Sequence, residues 1–340
     1  MIKELCVVGH PSALGGADTE LDHQIRLWRT MGIEVYICHT GGFDENLVKV
    51  RDQMLELGCH YIESNSWKDL EGFHTISFCN GDFLSNITEI KKYAKSTTFV
   101  NCMTWNFAKE IEAQQKGMID FHLYQTQHQF QRVSPELQKQ GSKYTPIMFK
   151  PYFDTSKFPF TLHTHTNAFR FGRISRPDPS KFHSSQVWIW ETMTAPTMKE
   201  GIILGWDNSL TSKVGQLPGY VKGYKPGEIS AQEFYDRCEV IIMNTDTFEN
   251  LPRVGFEAMA SGCVLVVNNR GGWRTLVADG TTGWLCDSER EFVYKSSRAA
   301  FEKTETIDFA IKARNMLEKE WGTESSLASW LNIFDQWNMV

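Results

Sequence analysis

The sequence predicts an α/β protein made of two doubly wound, Rossmann-like domains. Three observations carry that prediction. Short apolar runs suited to buried parallel strands alternate with helical segments along the chain. At 340 residues, with 41% hydrophobic and 13% aromatic content, the chain is long enough and apolar enough for two full cores. Residues 150–167, with Pro151, Pro159 and the run His163-Thr164-His165-Thr166, show no period and read as a linker. The domains are accordingly expected at 1–155 and 165–320.

Residues 4–9 form the first strand, 17–31 a helix stopped by Gly32, and 33–38 the second strand, which together make an opening βαβ unit. The turn between strand and helix, HPSALGG from His10 to Gly16, is glycine-rich. Gly15 and Gly16 permit close backbone approach to a ligand, but the dinucleotide fingerprint G-x-G-x-x-G is absent. Helices near 44–57 and 82–95 then alternate with strands at 61–62, 75–79 and 98–102. A strand at 120–124, a polar helix and a short strand at 146–149 complete the first domain. The second opens with a strand at 168–173 and a polar, proline-broken loop to Lys181. A Trp-rich helix at 184–194, a strand at 201–205, a short strand at 220–221 and a helix at 230–237 follow. The last 35 or so residues look helical, with Trp330, Phe334 and Trp337 on one apolar face.

The stretch that points to chemistry is 248–262, FENLPRVGFEAMASG, between strand-like runs at 240–243 and 263–267. Asn250 is placed to cap a helix, Pro252 suits its first turn and Gly262 ends it. A helix N-terminus at the carboxyl end of a parallel strand offers free N–H groups and about half a positive charge to an anion. Glu249 and Glu257 frame that end, on the order of 10 Å apart at a helical rise of ~1.5 Å per residue. That is too far to share a proton and suits gripping two parts of one elongated ligand. The alternative is an ordinary first-turn acid with a solvated helix glutamate.

Glu249-x7-Glu257, followed by Ala-Met-Ala-Ser-Gly, resembles the E-x7-E signature of retaining GT-B glycosyltransferases of the family 4 (group 1) type. Asn250-Leu251-Pro252, the run 263–267, Gly271-Gly272, Asp279-Gly280 and Gly283-Trp284-Leu285 fall in register with it. The resemblance covers roughly 165–290 strongly and the first 155 residues more weakly. It implies the GT-B fold: two Rossmann-like doubly wound domains facing a central cleft, the first domain serving the acceptor and the second the donor. It also implies that the helix at about 322–340 returns to the first domain. Gly172-Arg173 with Lys181 resembles the family's basic pair for the donor diphosphate, which stabilises a departing nucleoside diphosphate without a metal. Lys181 stands eight residues past Arg173, further than is usual, with Arg176 between, and is favoured over Arg176. By analogy Glu257 accepts hydrogen bonds from the ribose, Glu249 positions the donor sugar, and Asn250, Leu251 and Pro252 line the donor. Gly15-Gly16 resembles the family's "GG" donor-side loop. Glu249→Gln and Arg173→Ala are each expected to lose most turnover while keeping the fold.

Two departures matter. Cys102-Met103-Thr104-Trp105-Asn106 lacks the His often found after that strand, so the acceptor-side role falls to His10, Trp105 or neither. Gly271-Gly272-Trp273-Arg274-Thr275 carries Thr where relatives often carry an acid.

The net charge of −6 gives no general attraction to nucleic acid or anionic lipid. The eight cysteines are scattered with no C-x2-C pair, which argues against a zinc or disulfide framework. With no basic-apolar leader and no apolar run near 18 residues, the chain reads as cytoplasmic and not inserted in a membrane. His163-x-His165 is weak as a metal pair, His122 and His128 read as structural, and Lys91-Lys92-x-x-Lys95 reads as a solvated face. The expected activity is transfer of a sugar from a nucleotide-sugar, of the UDP- or GDP- class, to a hydroxyl of a glycan, lipid-linked sugar or small molecule. No cofactor and no metal are implied. DNA bearing a hydroxylated base is a less favoured acceptor. A UDP-sugar 2-epimerase-like isomerase and a non-catalytic nucleotide- or glycan-binding module are the rivals, and no oligomeric state is specified.

Overall fold

In both sheets each strand is followed by a helix or a loop long enough to cross over, and every strand pairing is parallel. The computed structural model describes residues 2–12, 15–39, 41–63, 66–164 and 167–339. Backbone contacts divide the chain into two units, Met1–Asp154 with Glu320–Val340, and Thr155–Lys319.

The first unit runs β1 (Glu4–Val8), α1 (Gly16–Thr30), β2 (Glu34–Cys38), α2 (Glu45–Glu56), β3 (His60–Tyr61), β4 (His74–Phe78), α3 (Gly81–Tyr93), β5 (Ser96–Val100), α4 (Ala108–Gln115), β6 (Phe121–Tyr124), α5 (Gln127–Gln138) and β7 (Pro146–Met148). Its seven strands lie in the order β3-β2-β1-β4-β5-β6-β7. β4 and β5 are buried along their whole length, as central parallel strands covered on both faces must be. Side chains start the helices where the sequence supplies them: Asp44 accepts from the N–H groups of Asn46 and Leu47, and Asn80 from that of Phe83. α4 was not expected, because its sequence, AKEIEAQQ, carries little apolar period. Its start is fixed by the buried Glu110, which accepts from the Phe107 N–H and from Asn101.

The second unit runs β8 (Ala168–Ile174), α6 (Gln186–Thr192), β9 (Met198–Leu204), α7 (Thr211–Val214), β10 (Val221–Tyr224), α8 (Ala231–Asp236), β11 (Val240–Met243), α9 (Arg253–Ser261), β12 (Val264–Asn268), α10 (Trp273–Leu276), β13 (Gly283–Cys286) and α11 (Glu289–Phe301). α12 (Lys303–Trp321) follows, and α13 (Thr323–Trp337) belongs to the first unit. The six strands lie in the order β10-β9-β8-β11-β12-β13. β9 begins three residues before the expected strand because Lys199 and Glu200 extend its pairing with β8. β13 is hidden in sequence among glycines and turns.

α13 closes the first core. Trp330, Phe334 and Trp337 are fully buried there beside Trp28, with the Trp28 and Trp330 rings edge-on at 4.9 Å. The Trp330 indole N–H donates to Gln24 Oε1 at 2.8 Å, so the ring meets its one polar need inside the core. Among the described residues no helix is long and apolar enough to cross a membrane.

Strand order reverses direction at β1/β4 in the first sheet and at β8/β11 in the second. Such a switch point leaves a crevice at the carboxyl ends of the two strands, because the chains leaving them cross over in opposite directions.

Candidate functional site

In the second unit the switch point joins two loops. One leaves β8 and carries Lys181, and the other leaves β11 and carries Glu249. Lys181 Nζ lies 2.8 Å and 3.0 Å from the two carboxylate oxygens of Glu249. Thr247 Oγ1 donates to Glu249 Oε1 at 3.2 Å. The two side chains are 24% and 16% exposed, shielded enough for the pair to hold yet open to a ligand. Arg176 is exposed on the same loop, so Lys181 is the cation that the fold brings to Glu249.

Arg173, near the end of β8, is fully buried. Its guanidinium packs 4.1 Å from the Phe182 ring centroid, donates to Gln186 Oε1 at 3.0 Å and reaches the carbonyls of Asn244 and Lys181. Burial lowers its pKa to about 9, opposed by the charges of Glu249 and Asp246. The side chain thus cross-links the β8 and β11 loops from inside.

The β11 loop is fixed by amide side chains. Asn244 Nδ2 donates to Ser185 Oγ at 3.0 Å, Asn268 Nδ2 donates to Asn244 Oδ1 at 2.8 Å, and the Thr245 N–H donates to Asn268 Oδ1 at 2.8 Å. Lys213 pairs with Asp246 at 2.5 Å, and Arg270 packs 5.0 Å from the exposed Phe248 ring while donating to the Thr245 carbonyl. None of Lys213, Asp246, Thr247 or Arg270 was singled out from sequence. Arg270 adjoins the noted Gly271-Gly272 pair, whereas nothing in the spacing marks Lys213.

That glycine pair packs directly on the loop. Gly271 has φ 58°, and a Cβ on Gly272 would lie 1.4 Å from the Asn250 carbonyl oxygen. The Gly272 N–H donates to the Glu249 carbonyl at 2.8 Å. The glycines are therefore needed for close backbone approach.

α9 begins at Arg253 with Pro252 as its N-cap, not Asn250 as the sequence suggested. Pro252 is extended (φ −70°, ψ 114°), and the residue before a proline is kept out of the helical region, so the helix starts one residue past it. Asn250 is buried against Gly272 and Leu251 is buried beside it. Pro252, as the N-cap, offers no side-chain hydrogen bond to the α9 N-terminus. Its far end is closed by Gly262 at φ 88°, the left-handed conformation expected there. Glu257 is half-buried; its Oε2 accepts from Tyr235 Oη at 3.0 Å, and the same hydroxyl lies 3.1 Å from the Val254 carbonyl. Burial raises the Glu257 pKa, with the Tyr235 hydrogen bond opposing it.

The other sequence candidates belong to the first unit. Gly15, at φ 98°, is the N-cap of α1, and Gly16 opens that helix with open space around its Cα. Ala13 and Leu14 of the same turn lie outside the described residues. His10 is 8% exposed, its ring bonded to the Pro11 carbonyl and to Tyr61 Oη, each at 2.7 Å. Trp105 is 56% exposed after β5. His163 is buried, with Nε2 3.9 Å from Cys263 Sγ, and His165 lies outside the described residues. Lys91 and Lys92 are paired with Asp120 and Glu89.

Residues 220–317 match the family model described as glycosyl transferases group 1. The matched segment contains Glu249, Asn250–Pro252, Glu257 and Gly271-Gly272, and excludes Arg173 and Lys181. No curated protein sequence matches the chain. Among solved structures, HepE of Anabaena, in complex with UDP and glucose, superimposes with a TM-score of 0.73 at 13% identity, covering 99% of this chain and 100% of that one. The S. aureus TarM G117R mutant, bound to Fondaparinux, α-GlcNAc-glycerol and UDP, gives 0.75 at 12% identity over 98% and 100%. The pneumococcal O-GlcNAc transferase GtfA, with UDP and GlcNAc, gives 0.65 at 11% identity over 99% of each chain.

The fold is GT-B. Within this GT-B chain, the matched family segment holds the α9 end of the site, and the β8 loop adds its cation.

Proposed function

We propose that the chain is a nucleotide-sugar-dependent glycosyltransferase of the retaining family 4 type, working without a divalent metal. One observation carries the reading. A lysine–glutamate pair stands at the β8/β11 switch point, its lysine on the β8 loop and its glutamate on the loop that leads to α9, whose N-cap Pro252 offers no side-chain bond. Departure of a nucleoside diphosphate concentrates negative charge on its outer phosphate. The Lys181 ammonium and the N–H groups at the start of α9 oppose that charge, and being preorganised they need no reorganisation during the reaction.

Glu249 has both oxygens on Lys181, so its role is to hold the ammonium and the donor sugar in place rather than to attack the anomeric carbon. Thr247 steadies Glu249 in turn. Arg173 is a positioning residue that fixes the Lys181 backbone from within. Glu257, backed by Tyr235, accepts from the ribose hydroxyls. The UDP named for HepE, TarM and GtfA supports UDP over GDP as the donor base. The acceptor is a hydroxyl of a glycan or small molecule, and the net charge of −6 gives DNA no advantage.

The test is a panel of UDP-, GDP-, ADP- and dTDP-sugars read by thermal shift. A ligand at 100 times its dissociation constant adds about 2.7 kcal/mol of stability. A shift with UDP-sugars is the expected outcome, and no shift with any member refutes the reading.

A further inference from the structure

A cavity of about 540 Å³ opens in the first unit at the carboxyl ends of β2 and β3. Its volume falls within the usual ligand-pocket range of about 300–1,000 Å³. Phe43, Tyr61 and Trp67 supply its aromatic wall, and His39, Arg51 and Glu63 its polar one. Apart from the bond between Tyr61 and His10, these groups take no part in the chemistry assigned above.

The polar wall is built around Arg51. The Arg51 guanidinium lies 5.1 Å from the Phe43 ring centroid and 5.4 Å from that of Tyr61. It pairs with Glu63 at 2.9 Å, and its Nε is buried without a partner. Tyr61 Oη is anchored by His10 at 2.7 Å. Burial lowers the His10 pKa to about 4, so that imidazole is neutral near pH 7.

Three consequences bear on what the cavity accepts. Arg51 and Glu63 cancel, so the lining offers no surplus charge to a phosphate or a carboxylate. The same pair presents a fork of N–H donors beside carboxylate acceptors, which matches adjacent hydroxyls that each donate and accept. With Arg51 already over two of the rings, the half-buried Trp67 is left to cover an apolar face of the ligand.

We infer that this cavity binds a neutral pyranosyl unit, with its C–H face on Trp67 and a pair of hydroxyls on Arg51 and Glu63. The inference rests on the glycosyltransferase reading for its role, since the bound unit is then the sugar end of the acceptor.

The experiment is saturation-transfer NMR on the full chain with methyl glucoside, galactoside, mannoside and N-acetylglucosaminide, alongside glucose 6-phosphate and uridine. Trp67→Ala and Arg51→Met are run in parallel, each checked by thermal melting. At least one neutral glycoside is expected to bind, and Trp67→Ala to weaken it tenfold or more, with Arg51→Met doing the same if it folds. The inference is overturned if no neutral glycoside binds, if glucose 6-phosphate or uridine binds tenfold tighter than all of them, or if Trp67→Ala binds like the parent. Nucleotide-sugar binding by the parent is measured separately, so failure of the donor reading is seen independently of this result.

Discussion

Gly272→Ala isolates the role of the loop that carries Glu249. Gly272 has φ −66° and ψ −16°, ordinary helical values, so alanine brings no backbone penalty and the effect is steric alone. The new Cβ would lie 1.4 Å from the Asn250 oxygen, 2.3 Å from its carbonyl carbon and 3.0 Å from the Leu251 nitrogen, where ordinary contact begins at 3.4 Å. The partners are backbone, so no side chain can swing aside. Either the 249–251 loop or the start of α10 must shift, and the 2.8 Å bond from the Gly272 N–H to the Glu249 carbonyl is lost. Overpacking of this kind costs about 1–3 kcal/mol, and the lost hydrogen bond about 1 kcal/mol. For a unit of this size each kcal/mol lowers Tm by about 2–4 °C, so the melting point should fall by about 4–16 °C. Donor turnover should fall further than stability, since a 1 Å misplacement can cost about 100-fold. Calorimetry and nucleoside diphosphate release read the two effects. A variant that melts with the parent and turns over at the parent rate would show that the glycine pair does not set the loop.

Three further outcomes follow from the same contacts. Glu249→Gln leaves Lys181 without its counter-charge and should cut turnover by about 100- to 1,000-fold while Tm moves little; steady-state kinetics and a melt check both. Tyr235→Phe removes a hydrogen bond worth about 1–2 kcal/mol and lets burial raise the Glu257 pKa further, so nucleotide-sugar affinity should drop about tenfold by calorimetry. His10 and His74 both have pKa values lowered to about 4 by burial, from 6.5. Their stabilising contribution is complete above pH 6.5 and is lost as pH falls towards 4, on the order of 3 kcal/mol each. Melts between pH 7 and 4.5 should therefore show a decline that His10→Gln and His74→Gln flatten, and an unchanged slope in both variants would refute the assignment.

The central strands were legible because each is a short apolar run bounded by turn residues, as at 240–243 and 263–267, whereas β10 (VKGY) and β13 (GWLC) carry glycine and little apolar run. Gly262 was legible because only a residue tolerant of positive φ ends a helix in that way. The sequence favoured Lys181 over Arg176, but no local pattern showed that Lys181 pairs with Glu249, a partner 68 residues away. The burial of Arg173 was hidden for a related reason, since a charged residue near a strand end carries no sign that Phe182, Gln186 and two carbonyls will enclose it. Tyr235 behind Glu257 and Arg270 against Phe248 are contacts made by the fold between separate elements, so no local pattern announces them. The shift of the α9 cap from Asn250 to Pro252 turns on one dihedral angle, which residue type only biases.

On the proposed reading Lys181, held by Glu249 in the loop that leads to α9, receives the diphosphate of a nucleotide-sugar. Calorimetric titration of UDP-glucose into the parent chain and Lys181→Ala, side by side, tests it most directly. Saturable binding by the parent and a loss of at least tenfold in the folded variant are expected. Equal affinity in the two proteins, or no binding by the parent to any nucleotide-sugar, would contradict it.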